Sequence, residues 1–373
     1  MKRKQPPVAK PDAASLNRRN FLSGIAMTAG AAAVLGQIVI PSTAAAADAP
    51  AAPAPGSAPT PGQRGPAGPP RPADYRQAGQ LTDLKGKTAY ITGGTTGIGL
   101  GIARAAYNAG MNLVLGYHTP RGLPAVQKLF NDDTKRILLV QHDVTDREGW
   151  AKLLTQIEST FGKLHLLVGN AGAKTLRKVS ESTVEDWDNA TAVNFTGIFN
   201  GVHTFIPHML KHGEGSHIVT TSSMSGILPG SSAGNYTATK FGAVGIMEAL
   251  RIELERTNIG TSAFCPGGVS TDNLFSSEQT PGAKEPAGMD PLEAGERVLN
   301  GVINNDLFIL THPEYKAGTV ERMNLIAASF PEGEKAPPED RVKYELRVLT
   351  APIYVPELNY RKKGRKNYRA TKA

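Results

Sequence analysis

Tyr236 and Lys240 lie four positions apart, a spacing that places two side chains on one face of a helix. A lysine ammonium at that distance favours the phenolate and lowers the pKa of the tyrosine phenol. A phenol tuned in this way can give or take a proton near neutral pH. Ser223 adds a hydroxyl at the end of the apolar run 217–221, which is typical of a strand. Tyrosine and lysine are also common on helix surfaces, so the surrounding sequence must show whether this pair takes part in catalysis.

A glycine-rich turn with the sequence Gly-Gly-Thr-Thr-Gly-Ile-Gly occupies positions 93–99, after a short predicted strand at 88–92. A helix is predicted to follow, from 100 to 108. Glycines let the backbone approach a pyrophosphate, and a helix N-terminus supplies free N–H donors and a positive dipole end. The alternative is a glycine turn that binds no nucleotide. The strand before the turn and the helix after it favour a phosphate cradle.

Three further strands are predicted at 112–116, 136–140 and 164–168, each separated from the next by a helical segment. Strands that alternate with helices at these intervals indicate a parallel, doubly wound sheet. We therefore expect an α/β fold, with a single Rossmann-like domain over 81–330.

The end of the second predicted strand bears on cofactor choice. In folds of this type an acidic residue at that position usually hydrogen-bonds the ribose 2′-hydroxyl of NAD. This chain has Tyr117 and His118 at that place instead. His118 and Arg121 can bind a 2′-phosphate, so NADP is favoured over NAD.

Several short motifs follow one another along the chain in a defined order. They are Thr92-Gly93-x-x-x-Gly97-x-Gly99, Asn170-Ala171-Gly172, Asn194, Ser223, Tyr236-x-x-x-Lys240 and Pro266-Gly267. In this order and at this spacing they resemble the short-chain dehydrogenase/reductase family, over residues 81–310. The resemblance implies an NAD(P)(H)-dependent oxidoreductase that acts on a small-molecule alcohol or carbonyl.

The same resemblance implies a role for each catalytic residue. Tyr236 would be the general acid/base at the substrate oxygen, and Lys240 would lower its pKa and hold the nicotinamide ribose. Ser223 would hydrogen-bond the substrate oxygen and stabilise its developing charge. Asn194 would anchor a water that links Lys240 to solvent. Ser222 fits the spacing to Tyr236 worse by one residue.

The resemblance also implies a set of cofactor contacts at the strand ends and turns, in which Val269 and Thr271 would touch the nicotinamide carboxamide. The set comprises Gly93, Thr95, Thr96, Gly97, Ile98, Gly99, Tyr117, His118, Asp143, Val144, Asn170, Ala171, Gly172, Tyr236, Lys240, Pro266, Gly267, Val269 and Thr271.

Two other regions are interpreted through the family. The predicted helices 184–211 and 235–256 correspond to elements that usually build an oligomer, so we expect a homodimer or homotetramer. The Gly-, Pro- and Ser-rich stretch 271–291 resembles the family's substrate lid, in which Leu274 and Phe275 either line an apolar pocket or pack the loop down.

The first 47 residues do not have the pattern of a folded domain. Arg18 and Arg19 precede a moderately apolar segment at 21–40, and small residues at 44–47 offer an A-x-A cleavage site. This arrangement resembles a bacterial twin-arginine export signal. We therefore expect the protein in the periplasm. The alternative is a cytoplasmic enzyme with a retained leader or anchor.

The remaining segments and the charge distribution narrow the possible partners. Residues 48–80 are rich in Ala, Pro and Gly and are predicted to be a linker, whereas 331–373 form a C-terminal extension with a basic tail. The formal net charge of +8 is concentrated in the first 19 residues and in this tail. The middle of the chain is mildly acidic, so we expect no nucleic-acid partner, and a membrane partner only through the export signal.

The chain contains one cysteine, Cys265, which excludes an internal disulfide and a cysteine metal cluster. We interpret it as a small buried apolar residue and expect no metal. A different class of function remains open at this point, a nucleotide-binding sensor or scaffold that kept the fold and lost the chemistry. The intact set Asn194, Ser223, Tyr236 and Lys240 favours the enzyme.

Overall fold

A computed structural model of the chain describes residues 76–174, 176–230, 233–271, 288–331 and 353–362. The predicted export signal, most of the predicted linker, the lid residues Leu274 and Phe275, and most of the basic tail lie outside the described residues.

Seven parallel strands form one sheet. They are β1 (Thr88–Ile91), β2 (Asn112–Tyr117), β3 (Ile137–Gln141), β4 (Leu166–Gly169), β5 (Ser216–Thr221), β6 (Ile259–Cys265) and β7 (Phe308–Leu310). Their order across the sheet is β3-β2-β1-β4-β5-β6-β7, and every neighbouring pair is parallel. The prediction of a Rossmann-like doubly wound sheet is confirmed.

The helices of the described residues connect and flank these strands. They are α1 (Gly97–Asn108), α2 (Leu123–Phe130), α3 (Arg147–Phe161), α4 (Val184–Thr191), α5 (Gly197–His212), α6 (Gly234–Glu253), α7 (Pro291–Asn304), α8 (Lys316–Ala328) and α9 (Tyr354–Lys362). Within these described ranges, no helix has the length and apolarity needed to cross a membrane.

The predicted continuous helix at 184–211 is wrong in one respect. A π-helical turn, Ala192–Thr196, separates α4 from α5. The extra residue of a π turn changes the direction of the side chains that follow it, and such turns often occur at functional sites. Here the turn carries the buried residue Asn194.

Side chains of the central strands alternate between two hydrophobic clusters, one on each face of the sheet. Helices α1 and α7 cover one face, and α3, α5 and α6 cover the other. The first cluster includes Ala89, Ile91, Leu113, Leu115, Ile102 and Val298. The second includes Tyr90, Val114, Trp150, Phe205 and Met247. The sheet is therefore buried on both faces, and polar functional side chains are expected at the ends of its strands.

Residues near both ends of the described chain meet in a buried ionic cluster below β7, here called the terminal clasp. The Nε atom of Arg76 lies 2.7 Å from Oε2 of Glu357 in α9, and Oε1 of Glu357 accepts a hydrogen bond of 3.1 Å from the Leu307 amide. The Arg76 guanidinium also stacks 3.8 Å above the Tyr360 ring. Residues 76–80, which composition assigned to the linker, therefore begin the packed domain.

We expect Glu357→Ala to destabilise the protein by about 3 kcal/mol, because it removes the carboxylate 2.7 Å from the largely buried Arg76 and leaves that guanidinium with the more distant Asp306 carboxylate at 4.0 Å. Urea unfolding measures this loss. A matched control is Glu181→Ala, which breaks an exposed pair with Lys178 and costs less than about 1 kcal/mol. Equal losses for the two variants would show that the terminal clasp adds no more than a surface pair.

Candidate active site

The predicted site residues of the described chain lie at or beyond the carboxyl ends of the parallel strands, or on the adjoining π turn and α6. The connections from β1 lead to β2 and β3 on one side, and β4 lies on the other. The strand order thus reverses between β1 and β4, and open α/β sheets bind their ligands in the crevice at such a point.

The glycine turn between β1 and α1 has the backbone that a phosphate cradle requires. Gly93 and Gly97 have φ angles of 60° and 53°, which side chains with a Cβ rarely adopt. A Cβ added to Gly99 would overlap the carbonyl oxygen of Gly93. Because α1 begins at Gly97, the positive end of its dipole lies at this turn. The backbone of the turn fits a pyrophosphate, and its binding of one stays a prediction.

Hydrogen bonds join the ends of β1 and β4 across the crevice. The Thr92 hydroxyl oxygen accepts bonds of 2.8 Å from the amides of both Asn170 and Ala171. The Asn170 side chain in turn donates to the carbonyl oxygens of Thr92 and Gly93, at 3.1 and 3.3 Å. The sequence motif placed Thr92 beside the glycine turn but did not reveal this role.

Lys240 and Tyr236 lie together on one side of α6. The Lys240 Nζ atom is 5.5 Å from the centroid of the Tyr236 ring. The lysine is only 4% exposed, and its Nζ donates a 2.8 Å hydrogen bond to the Thr221 carbonyl at the end of β5. That backbone acceptor has no sequence signal, and it holds the ammonium beside the ring.

The two neighbouring serines have different partners. The Ser223 hydroxyl lies beside the Tyr236 phenol and acts to lower the pKa of that phenol, while its oxygen accepts a 3.1 Å hydrogen bond from the Ser225 amide. The Ser222 hydroxyl is buried and donates a 2.8 Å bond to the Lys240 carbonyl. The structure therefore brings Ser223 to the tyrosine, whereas Ser222 supports the backbone of α6.

Burial has the largest influence on the proton affinities of the pair. Burial raises the pKa of Tyr236, although the neighbouring Ser223 hydroxyl opposes the shift. Burial also lowers the pKa of Lys240 to about 8. Burial therefore sets the direction of the Tyr236 pKa shift, and a lowering of that pKa by Lys240 stays a prediction. At neutral pH the pair consists of a neutral phenol and a mostly protonated amine.

Asn194 fixes the chain that follows β4. Its Oδ1 atom accepts a 2.7 Å hydrogen bond from the Ala173 amide, and its Nδ2 atom donates to the Ala173 carbonyl at 2.8 Å. Nδ2 also donates to the Thr239 hydroxyl at 3.2 Å, which connects this segment to α6. A Cβ added to Gly172 would lie 3.4 Å from Asn194 Oδ1 and 3.7 Å from Lys240 Nζ. Asn194 is thus beside the lysine, and its action through a water stays a prediction.

The turn 266–271 after β6 spans the distance between the two halves of the site. At one end, the Pro266 carbonyl accepts a 2.9 Å hydrogen bond from the amide of Met224, the residue after Ser223. At the other end, the Thr271 side chain lies 3.3 Å from the position of a Cβ on Gly97. Val269, between them, is buried. The turn therefore adjoins both the serine and the phosphate cradle.

His118, predicted to accept a 2′-phosphate, lies beside a carboxylate. Its Nδ1 atom is 3.9 Å from an oxygen of Asp143, the residue predicted to border the adenine. The backbone N–H of Thr145 is the largest influence that lowers the pKa of Asp143, so the carboxylate is ionised at neutral pH. This negative charge offsets part of the positive potential that a phosphate would meet.

Cys265 is buried, and burial raises the pKa of its thiol to about 12. It is therefore a neutral thiol at physiological pH and has the character of a small apolar residue. Across the described ranges, no group of three or more His, Cys, Asp or Glu side chains could hold a metal ion.

A doubly wound sheet with a glycine cradle at its switch point defines the class of Rossmann-fold proteins. Within that class, the chain belongs to the short-chain dehydrogenase family, whose model matches residues 87–281. The NADP-dependent (R)-specific alcohol dehydrogenase of Lentilactobacillus kefiri is 37% identical over 207 residues, covering 53% of this chain and 81% of that enzyme.

Solved structures agree with this assignment. A short-chain dehydrogenase from Novosphingobium aromaticivorans is 32% identical with a TM-score of 0.64, over 75% of this chain and 99% of that one. A short-chain dehydrogenase/reductase from Burkholderia phymatum in complex with NAD is 27% identical with a TM-score of 0.60, over 68% and 99%. These relatives support oxidoreductase chemistry with NAD or NADP.

Proposed function

We propose that this protein is an NAD(P)(H)-dependent oxidoreductase that interconverts a small-molecule alcohol and the corresponding carbonyl compound. The observation that carries the proposal is the grouping of Ser223, Tyr236 and Lys240 beside the turn 266–271. Tyr236 is the general acid/base. The Ser223 hydroxyl beside its phenol acts to lower the pKa of that phenol, and the Lys240 ammonium lies 5.5 Å from the centroid of its ring.

Each side chain has a defined task in this proposal. A bound nicotinamide supplies or accepts the hydride. In the reductive direction, the hydroxyls of Ser223 and Tyr236 both donate hydrogen bonds to the carbonyl oxygen. The Tyr236 proton moves to that oxygen as negative charge develops there, which leaves a phenolate. The Lys240 ammonium stabilises the phenolate, and the reverse sequence removes the alcohol proton.

The alternative is a nucleotide sensor or scaffold that performs no chemistry. Retention of all four of Asn194, Ser223, Tyr236 and Lys240 argues against it. The discriminating experiment follows NAD(P)H absorbance with a panel of ketones and aldehydes, beside a fluorescence titration of the same cofactor. Turnover of at least one carbonyl supports the enzyme, whereas tight cofactor binding without turnover across the panel favours the sensor.

We expect the protein to bind NADP(H) more tightly than NAD(H). No acidic residue ends β2, and His118 and Arg121 lie at that end. Asp143 acts in the opposite direction, so the preference is expected to be modest. Titration of purified protein with NADPH and NADH by nicotinamide fluorescence measures it without knowledge of the substrate. Tighter binding of NADH would contradict the proposed roles of His118 and Arg121.

A homo-oligomer, either dimer or tetramer, is also part of the proposal. Apolar side chains are exposed on α4, on α5 and on the π turn between them: Trp187, Phe195, Phe199 and Leu210. Exposed apolar surface of this kind favours association with another chain. Light scattering of the purified protein gives the mass directly.

For location, the proposal follows the twin-arginine pattern at Arg18 and Arg19. By resemblance to that type of signal, the export route carries proteins that are already folded, so a cofactor bound in the cytoplasm would leave with the enzyme. The mature protein, starting near Asp48, would then work in the periplasm with slowly released cofactor. A second substrate would have to regenerate that cofactor in place.

Cell fractionation and cofactor analysis test this location. We expect the processed protein in the periplasm with cofactor bound, and the Arg18→Lys, Arg19→Lys double variant retained in the cytoplasm. A processed form that arrives without cofactor contradicts the idea of a carried cofactor. A protein that stays inside with both arginines intact supports the cytoplasmic alternative.

A further inference from the structure

The imidazole of His312, just beyond β7, packs on the backbone of the turn 266–271. Its Nδ1 atom lies 3.0 Å from the Gly267 amide nitrogen, and its Nε2 atom lies 3.1 Å from the Gly268 carbonyl oxygen. A Cβ added to Gly267 would lie 2.6 Å from Cγ of this ring. The ring therefore occupies the space that a side chain at position 267 would need.

These two backbone contacts give the two ring nitrogens different hydrogen-bonding roles. An amide N–H can only donate, so Nδ1 accepts; a carbonyl oxygen can only accept, so Nε2 carries the proton. The Thr311 hydroxyl, 2.5 Å from Nδ1, donates to the same nitrogen. Its oxygen also accepts from the Gly267 amide, at 3.2 Å. His312 thus accepts at Nδ1 and donates at Nε2, and it holds two consecutive peptide groups of the turn.

The segment that carries His312 is itself held in place. The Arg297 guanidinium of α7 donates a 3.1 Å hydrogen bond to the Thr311 carbonyl. The ring of Tyr315 lies edge-on to the imidazole, with centroids 6.3 Å apart. Because α7 and the end of β7 fix residues 311 and 312, the ring can impose a position on the turn.

The turn that His312 holds lies between the phosphate cradle and the catalytic residues. Its Pro266 end bonds the amide of Met224 next to Ser223, and its Thr271 end lies against Gly97. A dinucleotide that extends from the glycine turn to Tyr236 must pass this backbone. The part of the cofactor nearest to it would be the nicotinamide half.

We propose that His312 is a positioning residue for the nicotinamide half of the cofactor. It holds the peptide groups of Gly267 and Gly268. In this way it fixes the positions of Val269 and Thr271, the residues predicted to contact the nicotinamide. The proposal rests on the proposed oxidoreductase function. It concerns a residue outside the motif set that defined the site.

The experiment compares binding of the whole cofactor with binding of its adenosine half. NADPH and 2′-phospho-ADP-ribose are titrated by calorimetry, or NADH and ADP-ribose if the wild type prefers NADH. We expect His312→Ala to weaken NADPH binding about tenfold, since two neutral hydrogen bonds are lost. Binding of 2′-phospho-ADP-ribose, which lacks the nicotinamide, stays within about twofold.

Two further variants separate the hydrogen bonds. His312→Asn can keep an acceptor near the Nδ1 position, and His312→Gln can keep a donor near the Nε2 position. Each is expected to lose less NADPH affinity than His312→Ala. If His312→Ala does not fold, these two variants carry the same comparison. Glu314→Ala, an exposed neighbour, is the matched control and binds both ligands as the wild type does.

A parallel fall in affinity for NADPH and 2′-phospho-ADP-ribose would overturn the proposal, because it would show a general structural role. Unchanged NADPH affinity in all three variants would overturn it as well. In both cases the wild type still binds and turns over, so the proposed function stands. A wild type that binds no nicotinamide cofactor would overturn the proposed function together with this inference.

Discussion

We expect Tyr236→Phe to lower kcat by about 10³-fold, since general acid–base catalysis contributes about 10²- to 10⁴-fold. The ring and its packing on α6 are kept, and only the transferable proton is removed. Cofactor affinity, measured by NAD(P)H fluorescence, should change by less than about twofold. Steady-state kinetics on a carbonyl found by the absorbance screen measures the loss.

Tyr107→Phe is the matched control for this change. Tyr107 lies on α1, where its hydroxyl donates a 2.9 Å hydrogen bond to Asp133. The Tyr107→Phe variant also loses one phenol oxygen, and its turnover should equal that of the wild type. Substantial residual activity in purified Tyr236→Phe protein would remove Tyr236 from its role as general acid/base.

The second large effect is expected from Lys240→Met, which replaces a buried ammonium by an apolar chain of similar length. A unit charge 5.5 Å from the ring centroid stabilises a phenolate by about 3 kcal/mol at an effective dielectric constant of 20. That energy corresponds to about 10²-fold in rate for alcohol oxidation. The loss should appear in kcat/KM at pH 7, where the ammonium of the wild type carries its proton.

The difference in kcat/KM between the wild type and Lys240→Met depends on pH through the pKa of Lys240, which burial lowers to about 8. Below pH 8 the wild-type amine is charged and the difference between the two proteins is largest. Above pH 8 the amine loses its proton, so the wild type loses the same advantage and the difference narrows. A difference that widens above pH 8 would contradict the electrostatic role.

Lys178→Met is the control for the loss of a lysine. Lys178 is exposed and pairs with Glu181, so its removal should leave kcat/KM unchanged. If Lys240→Met retains wild-type kcat/KM at pH 7, the ammonium does not assist the proton transfer. Thermal unfolding of the same samples separates this result from a loss of folded protein.

The strands and the nucleotide cradle were predictable because both depend on short-range chain geometry. The predicted strand 112–116 corresponds to β2, Asn112–Tyr117, and the glycine turn has the positive φ angles that its glycines suggest. The four-residue spacing of Tyr236 and Lys240 brings them together through helix periodicity alone. Each of these features is encoded within a few consecutive residues.

The break between α4 and α5 could not be predicted from the same kind of pattern. The apolar periodicity of 184–211 continues through the π turn, and one extra residue in a turn leaves little trace in it. What stabilises the turn is distant in sequence: the side chain of Asn194 bonds the backbone of Ala173 and the hydroxyl of Thr239.

The terminal clasp is a second feature that the amino-acid composition could not predict. Residues 76–80 follow an Ala/Pro/Gly-rich stretch, and α9 lies in a segment without clear periodicity. Both pack because Arg76 and Glu357, separated by 281 positions, form a largely buried ion pair. A charged pair of this kind becomes visible only when both partners are placed.

The sequence by itself determined the family and the doubly wound sheet, and it predicted the group of Ser223, Tyr236 and Lys240, because ordered motifs and local periodicity are properties of the chain. Only the tertiary structure decided the environment of that group. Desolvation, which lowers the pKa of Lys240 to about 8 and raises that of Tyr236, depends on all the atoms that exclude water from the site. The same holds for His312, whose contact with Gly267 joins residues 45 positions apart. Burial and long-range contacts arise from the packing of the whole domain, and no local stretch of sequence contains them.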